Sequence, residues 1–452
     1  MRWHEMTGRR LTDNKIIVLD FGGQGNYLVA RRVRALKVYA EIYSGQTSLQ
    51  RILKAKPLGV ILVGQPPSFD ESREKLVQDL LKTKLPVLAL GEWPISVVGD
   101  EHHEQICKLR GLPNDDSRAE CTEFQSFIYE MCQAEPTWTM NAFADHCISE
   151  IKAKVQDAPV ICGLSGGVDS TVAAALVQKA VGSQLHTIFV DNGLMRKNEV
   201  REVKENFAPL FGENFRTVDA GERFLKLLQG VIDPEEKRKI IGHEFIRTFE
   251  REARRVGSSK YLVQGTVYPD VVESGQEEGA LVKSHHNVGG LPDDMELGLI
   301  EPLRWLFKEE VREVGELLDL PKHLVWRQPF PGPGLAVRII GEVNESRLAI
   351  LRDADFILRD GVREAGLAEK IWQYFAVLTD VRTVGVQESK RAYGYTVGIR
   401  AVNSRDGMVA DWAKIPFDVL ERISHRIMAE VQGVNRVVYD ISSKPPATIE
   451  WE

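Results

Sequence analysis

Pro159-Val160-Ile161-Cys162-Gly163-Leu164-Ser165-Gly166-Gly167-Val168-Asp169-Ser170 is the stretch on which the fold turns. Its first six residues form an apolar run of strand length, and Thr171-Val172-Ala173-Ala174-Ala175-Leu176-Val177 after it reads as helix. A short strand, a loop of small residues and a helix make a phosphate-binding arrangement. The glycines let the backbone close on an anion, and a helix N-terminus offers unpaired N–H groups at the positive end of its dipole. Ser165 and Ser170 add hydroxyl donors, and Asp169 is a carboxylate of the kind that holds a magnesium ion bridging phosphate oxygens.

The loop lacks the GK[ST] ending of a Walker A sequence and is not GxGxxG. The pattern SGGxDS resembles the pyrophosphate loop of the ATP pyrophosphatases. Those enzymes cut ATP between the α and β phosphates and adenylate an oxygen on their substrate. The alternative is an ordinary Ser/Gly turn opening a helix, and six matched residues behind a strand weigh against it.

Outward from the loop, strands and helices alternate. The pattern predicts a strand over 159–163, a helix over 170–181, a strand over 186–190, a helix over 198–210 and a strand at Tyr261-Leu262-Val263. Upstream, Ile16-Ile17-Val18-Leu19 leads through a Gly-rich turn into a helix ending near Arg34. Two further apolar strands follow, Gly59 to Val63 and Pro86 to Leu90. This order implies parallel α/β sheets. Periodicity fades over 99–135. After Pro329-Phe330-Pro331-Gly332-Pro333-Gly334 it changes, with β-branched runs at Tyr395–Val402 and Arg436–Ile441 flanking helical segments of a small α+β domain. No 20–50-residue repeat or low-complexity tract is visible.

A chain of 452 residues is long enough for two to four domains. With 43% hydrophobic and 27% charged residues and a net charge of −7, it has the composition of a soluble globular protein without the basic surface of a general nucleic-acid binder. Five cysteines without CxxC spacing indicate neither a disulfide framework nor a zinc site. No window approaches 18 uninterrupted apolar residues, and Met-Arg-Trp-His-Glu-Met is no signal peptide, so a cytoplasmic location away from membranes is expected.

From about residue 137 onward the chain resembles the GMP synthetase family. The resemblance is carried by Ile188–Leu194, Pro234–Gly242, Gln264-Gly265-Thr266, Lys283-Ser284-His285-His286-Asn287, Arg327–Leu335 and the terminal Ser443-Lys444-Pro445-Pro446-Ala447-Thr448-Ile449-Glu450-Trp451-Glu452. It implies that ATP adenylates the 2-oxygen of XMP, releasing pyrophosphate, and that ammonia displaces AMP to give GMP. ATP is then a co-substrate and Mg2+ the cofactor. Ser165, Gly166, Gly167, Val168, Asp169, Ser170, Asp191 and Gly265 are implied to bind ATP and pyrophosphate, with Asp169 on magnesium. Lys283, His285 and His286 are implied to act from a lid, although tandem histidines alone read as metal ligands or surface. Arg238, Arg391, Arg400, Lys444, Thr448 and Glu450 are implied to bind XMP. In one departure, Glu388-Ser389-Lys390-Arg391 stands where the family commonly has Gly-Asp-Gly-Arg, so purine recognition at that turn is in question.

In glutamine-using members a class I amidotransferase domain precedes the synthetase. Ile17–Gln24, Ala30–Arg34 and Gly59–Pro66 resemble its first strand, helix and oxyanion strand. Pro86-Val87-Leu88-Ala89-Leu90-Gly91-Glu92-Trp93 falls on the nucleophile elbow, and Gly91 stands in the place of the cysteine. Without a thiolate, covalent chemistry there ends. The activating His-Pro-Glu segment is missing as well, and His102-His103-Glu104 is a poor substitute. The expected architecture is therefore a truncated, degenerate amidotransferase-like α/β domain (15–120), an adenine-nucleotide α-hydrolase-like ATP-pyrophosphatase domain with a parallel sheet (137–330), and a small α+β C-terminal domain (331–452) that binds XMP and pairs two subunits.

The leading expectation is an ammonia-dependent GMP synthetase. Alternatives are ammonia from a separate glutaminase subunit docked on the remnant, capture of the intermediate by another amine, or a nucleotide-binding regulator without turnover. The intact loop, lid and tail argue against the regulator. A tRNA-thiolating pyrophosphatase is disfavoured by the missing cysteine pair and the acidic balance.

Overall fold

The computed structural model describes residues 11–22, 25–64, 71–91, 93, 106–109, 118–257, 259–273, 297–387, 390–404, 407 and 409–452. They fall into two compact units, Met1–Glu150 with Val271–Ala280, and Ile151–Asp270 with Leu281–Glu452.

The first unit runs β1 (Lys15–Asp20), α1 (Asn26–Ala35), β2 (Tyr39–Ser44), α2 (Leu49–Lys54), β3 (Gly59–Val63), α3 (Glu71–Leu81), β4 (Val87–Leu90) and β5 (Ile106–Leu109). All pairings are parallel, in the order β2-β1-β3-β4-β5. Every residue of β3 and β4 is buried, as expected of parallel strands covered on both faces, and this is why both read as continuous apolar runs. Ile17, Leu19, Val60, Leu62 and Val87 form one core with Ile52 of α2 and Val77 and Leu80 of α3. The segment where periodicity fades holds β5 and a further helix, α4 (Arg118–Ser126), which continues into a single π-turn at Phe127–Met131. Then α5 (Met140–Val155) carries the chain onward.

The second unit contains β6 (Val160–Leu164), α6 (Val168–Val181), β7 (Leu185–Asp191), α7 (Glu199–Phe211), β8 (Phe215–Asp219), α8 (Gly221–Leu228), α9 (Pro234–Val256), β9 (Tyr261–Val263) and β10 (Gly298–Ile300), followed by α10 (Lys308–Leu317). Its parallel sheet has the order β10-β9-β6-β7-β8. The chain moves outward from β6 through β7 to β8 and then returns to β9 on the other side of β6. The loop after β6 thus lies at the point where strand order reverses, the place where open α/β sheets bind ligands.

The rest of this unit is α11 (Glu345–Glu364), the long hairpin β11 (Gln373–Gln387) and β12 (Lys390–Ser404), β13 (Ala410–Trp412), α12 (Phe417–Glu430) and β14 (Val434–Asp440). β12 pairs antiparallel with β11 and β13 and parallel with β14. One apolar cluster runs from Ile188 and Val190 through Leu335 and Leu348 to Ile399, so both sheets share a core. Among the described residues no helix is long and apolar enough to cross a membrane.

Candidate active site

The end of β6 builds the cradle. Gly166 sits at φ +77, where an L side chain is strained, and Gly167 caps α6. Ser170 Oγ accepts from Ser165 N at 3.3 Å and lies 3.0 Å from Ser165 Oγ, while Ser165 Oγ accepts from Gly167 N at 3.2 Å. Thr171 Oγ1 and Ser170 Oγ both donate to Gly167 O. The hydroxyls therefore set the loop shape. Gly265 backs the loop closely: a Cβ there would lie 3.1 Å from Asp169 C and from Ser170 N.

A cavity opens over this cradle, lined by Ser165, Gly167, Asp169, Phe189, Asn192, Lys308 and Phe330, among others. α10 packs against α6 and brings Lys308 onto the carboxylate of Asp169, with Nζ donating to its two oxygens at 2.5 and 2.6 Å. Arg327 donates to Gly166 O at 2.8 Å and pairs with the buried Glu199. Burial pushes the Arg327 guanidinium below the usual arginine range, and the neighbouring Arg196 adds to the effect. Asp191 ends β7, and its Oδ1 accepts from Gly193 N at 3.0 Å. Gly193 has φ +71, and a Cβ there would meet Gly221 Cα at 2.8 Å, so only glycine fits this turn.

The tail forms a second cluster. Lys444 donates Nζ to Gly407 O at 2.7 Å, and Thr448 Oγ1 donates to Glu450 O. Glu450 accepts a fork from the buried Arg338 at 2.8 and 3.0 Å and a third bond from Gln373 Nε2 at 3.1 Å. Glu452 accepts from Lys237 Nζ at 2.5 Å, and Lys237 donates again to Ile339 O at 2.7 Å and Ala336 O at 3.3 Å. Burial pulls the Lys237 ammonium below the usual lysine range, against the opposing pull of Glu452. Arg238, next on α9, pairs with Glu235 at 2.5 Å.

Profiles of two families match this chain: "NAD synthase" over residues 140–350 and "GMP synthase C terminal domain" over residues 360–451. A "GMP synthase [glutamine-hydrolyzing]" of Carboxydothermus hydrogenoformans is 46% identical over 97% of this chain and 100% of its own length. The protein of the same description from Clostridium perfringens is 46% identical over 97% of this chain and 99% of its own. The chain belongs to the GMP synthase family. Similar solved structures include an NMN synthetase from Francisella tularensis (TM-score 0.34, 17% identity, 44% of this chain and 78% of that one) and an NH3-dependent NAD synthetase from Campylobacter jejuni (TM-score 0.33, 14% identity, 43% and 79%). The alignment to the Carboxydothermus relative spans 507 positions, whereas 97% of 452 residues is about 438, so about 70 of its positions have no counterpart here.

Within this family member, Ser165, Gly167, Val168 and Asp169 share one cavity, with Gly166, Ser170 and Gly265 shaping its floor. Lys444, Thr448, Glu450 and Arg400 gather at the tail, and Arg238 adjoins Lys237, which holds Glu452. Arg400, expected to contact XMP, lies beneath the tail. It is fully buried, and its guanidinium is spent on Ser442 O, Thr448 O and Ile449 O, with Asp440 3.3 Å away, so it shapes the tail from beneath. Arg391 lies on the β11–β12 hairpin with its guanidinium on Tyr393, and no described contact joins it to the tail. Lys283, His285, His286, Glu388-Ser389 and His102-His103-Glu104 lie outside the described residues. Gly91 follows β4 at φ +98 with open space where a Cβ would stand. No motif singles out Lys308, Arg327, Arg338 or Lys237, whose partners lie far away in the chain. The only prior signal was that Arg327 and Lys237 lie in family-matching runs.

Proposed function

We propose that this chain adenylates the 2-oxygen of XMP with ATP, releasing pyrophosphate, and that ammonia then displaces AMP to give GMP. The observation that carries this is the Ser165–Ser170 cradle at the mouth of β6, with Asp169 and Lys308 facing one cavity, in a chain of GMP synthase descent. Backbone N–H groups at the start of α6 receive the β and γ phosphates. Lys308 neutralises Asp169 until a polyphosphate arrives, and then contributes its charge to the leaving pyrophosphate. The oxygen of XMP attacks the α phosphorus, the bond to the β-phosphate oxygen breaks, and the electron pair leaves with pyrophosphate. Lys444 receives the XMP phosphate, and Arg238, Thr448 and Glu450 line the purine side.

A single carboxylate, Asp169, suits magnesium, which takes most of its ligands from water and phosphate oxygens. No group of three or more acidic, His or Cys side chains that would hold a metal exists among the described residues. When bound, the ion supplies positive charge to the leaving phosphates.

The nitrogen source is free ammonia. Gly91 offers no nucleophile at the elbow. The thiols of Cys132, Cys147 and Cys162 are each pushed up to about 12 by burial, so none replaces it as a thiolate. The exposed face of the β11–β12 hairpin, with Val384, Val386 and Tyr393, supports pairing of two copies, and sedimentation as a monomer at micromolar concentration would overturn that pairing. The test of the reaction is to supply XMP, ATP, magnesium and ammonium to the purified chain. GMP, AMP and pyrophosphate appear in equal amounts, and ATP cleavage that ignores XMP contradicts the reading.

A further inference from the structure

The loop following β7 is gripped from outside its own sheet. Within the loop, Gly193 N donates to Asp191 Oδ1 and Leu194 N donates to Asn192 Oδ1 at 3.0 Å each. From the C-terminal half of the unit, α11 reaches the same loop with three neighbouring side chains. Arg352 donates Nη2 to Gly193 O at 2.5 Å and Nε to Met195 O at 3.0 Å. Asp353 accepts from Lys197 Nζ at 2.7 Å. The fully buried Asp355 lies 3.5 Å from Arg196 Nε and accepts from Ala376 N of β11 at 3.2 Å. Asn192 and Met195, on either side of the carbonyl that Arg352 caps first, line the cavity above the Ser165–Ser170 cradle.

A planar guanidinium spanning two carbonyls holds them with donors in a fixed fork, a geometry that an ammonium on a flexible stem does not impose. Of these three α11 side chains, Arg352 is the one that bonds the loop backbone itself. We propose that Arg352 is a positioning residue for ATP. It holds the Gly193–Met195 backbone so that Asn192 and Met195 stand at the correct depth against the bound nucleotide. This rests on the reading that the cavity takes ATP.

Two variants and two ligands test it. Binding of α,β-methylene-ATP is measured by calorimetry on the full chain, together with KM for ATP and for XMP in the full reaction. Arg352→Met is expected to weaken analogue binding and raise KM for ATP about tenfold, because two bonds from a charged donor are lost. Arg352→Lys, which keeps the charge and one bond, is expected to fall between Met and the unaltered chain. KM for XMP stays within about twofold in both, and the melting temperature changes little. Unchanged analogue binding in Arg352→Met overturns the inference. A joint loss of ATP affinity, XMP affinity and melting temperature also overturns it, by showing a general packing role. If the unaltered chain binds the analogue yet makes no GMP, the functional reading fails while the Arg352 test still reads out. If it does not bind the analogue, both fail.

Discussion

Asp169 and Lys308 form the ion pair on which the proposed site turns. In the protein alone, Lys308 occupies both carboxylate oxygens, so two charges inside a cavity are balanced. On the proposed reading, a polyphosphate bound with magnesium would offer a better partner to each: phosphate oxygens to the ammonium, the cation to the carboxylate. Asp169→Asn keeps the shape and removes the charge, leaving Lys308 free to take phosphate without its counterion. We expect it to lower XMP-dependent AMP release by about 100-fold or more while the chain unfolds at an unchanged temperature. AMP release within about threefold of the unaltered chain would remove Asp169 from the mechanism. At this scale the sequence showed half of the arrangement. The SGGVDS run is local and so was legible, whereas Lys308 meets Asp169 across 139 residues and only the packing of two helices brings them together.

Among the strands of the two parallel sheets, the most legible are those buried on both faces. β1, β3, β4, β6 and β7 are parallel strands under helices, and continuous apolar runs betray them. β8 was missed because Phe215–Asp219 is largely exposed at the sheet edge and carries Arg216 and Asp219. β11 was missed because its distal half, with Asp380 and Arg382, lies outside the core. The tail is the element whose order is least expected from sequence, since Pro445, Pro446 and small residues suggest a loose end. Its order comes from beneath: Arg400 on three carbonyls, Arg338 on Glu450 and Lys237 on Glu452. Lys237 is a buried lysine with Glu452 as its anionic partner, so removing either leaves an uncompensated charge. Lys237→Met should cost about 3–5 kcal/mol, read as a lower urea midpoint, and Lys237→Met with Glu452→Leu should recover much of it. A single variant as stable as the unaltered chain would show that the pair does not hold the tail.

At the scale of the molecule, the first unit has a five-stranded parallel sheet with Gly91 following β4, and the second has the Ser165–Ser170 loop and an ordered tail around one core. On the proposed reading, the synthetase chemistry and the nitrogen supply are separable in this chain. The direct measurement is GMP formation by the purified chain given XMP and ATP, with isotopically labelled nitrogen supplied either as ammonium or as the amide of glutamine. Labelled GMP is expected from ammonium, and from glutamine only what contaminating ammonia yields. Labelled GMP formed from glutamine at a rate matching ammonium, with glutamate released in equal amount, would contradict the proposed reading.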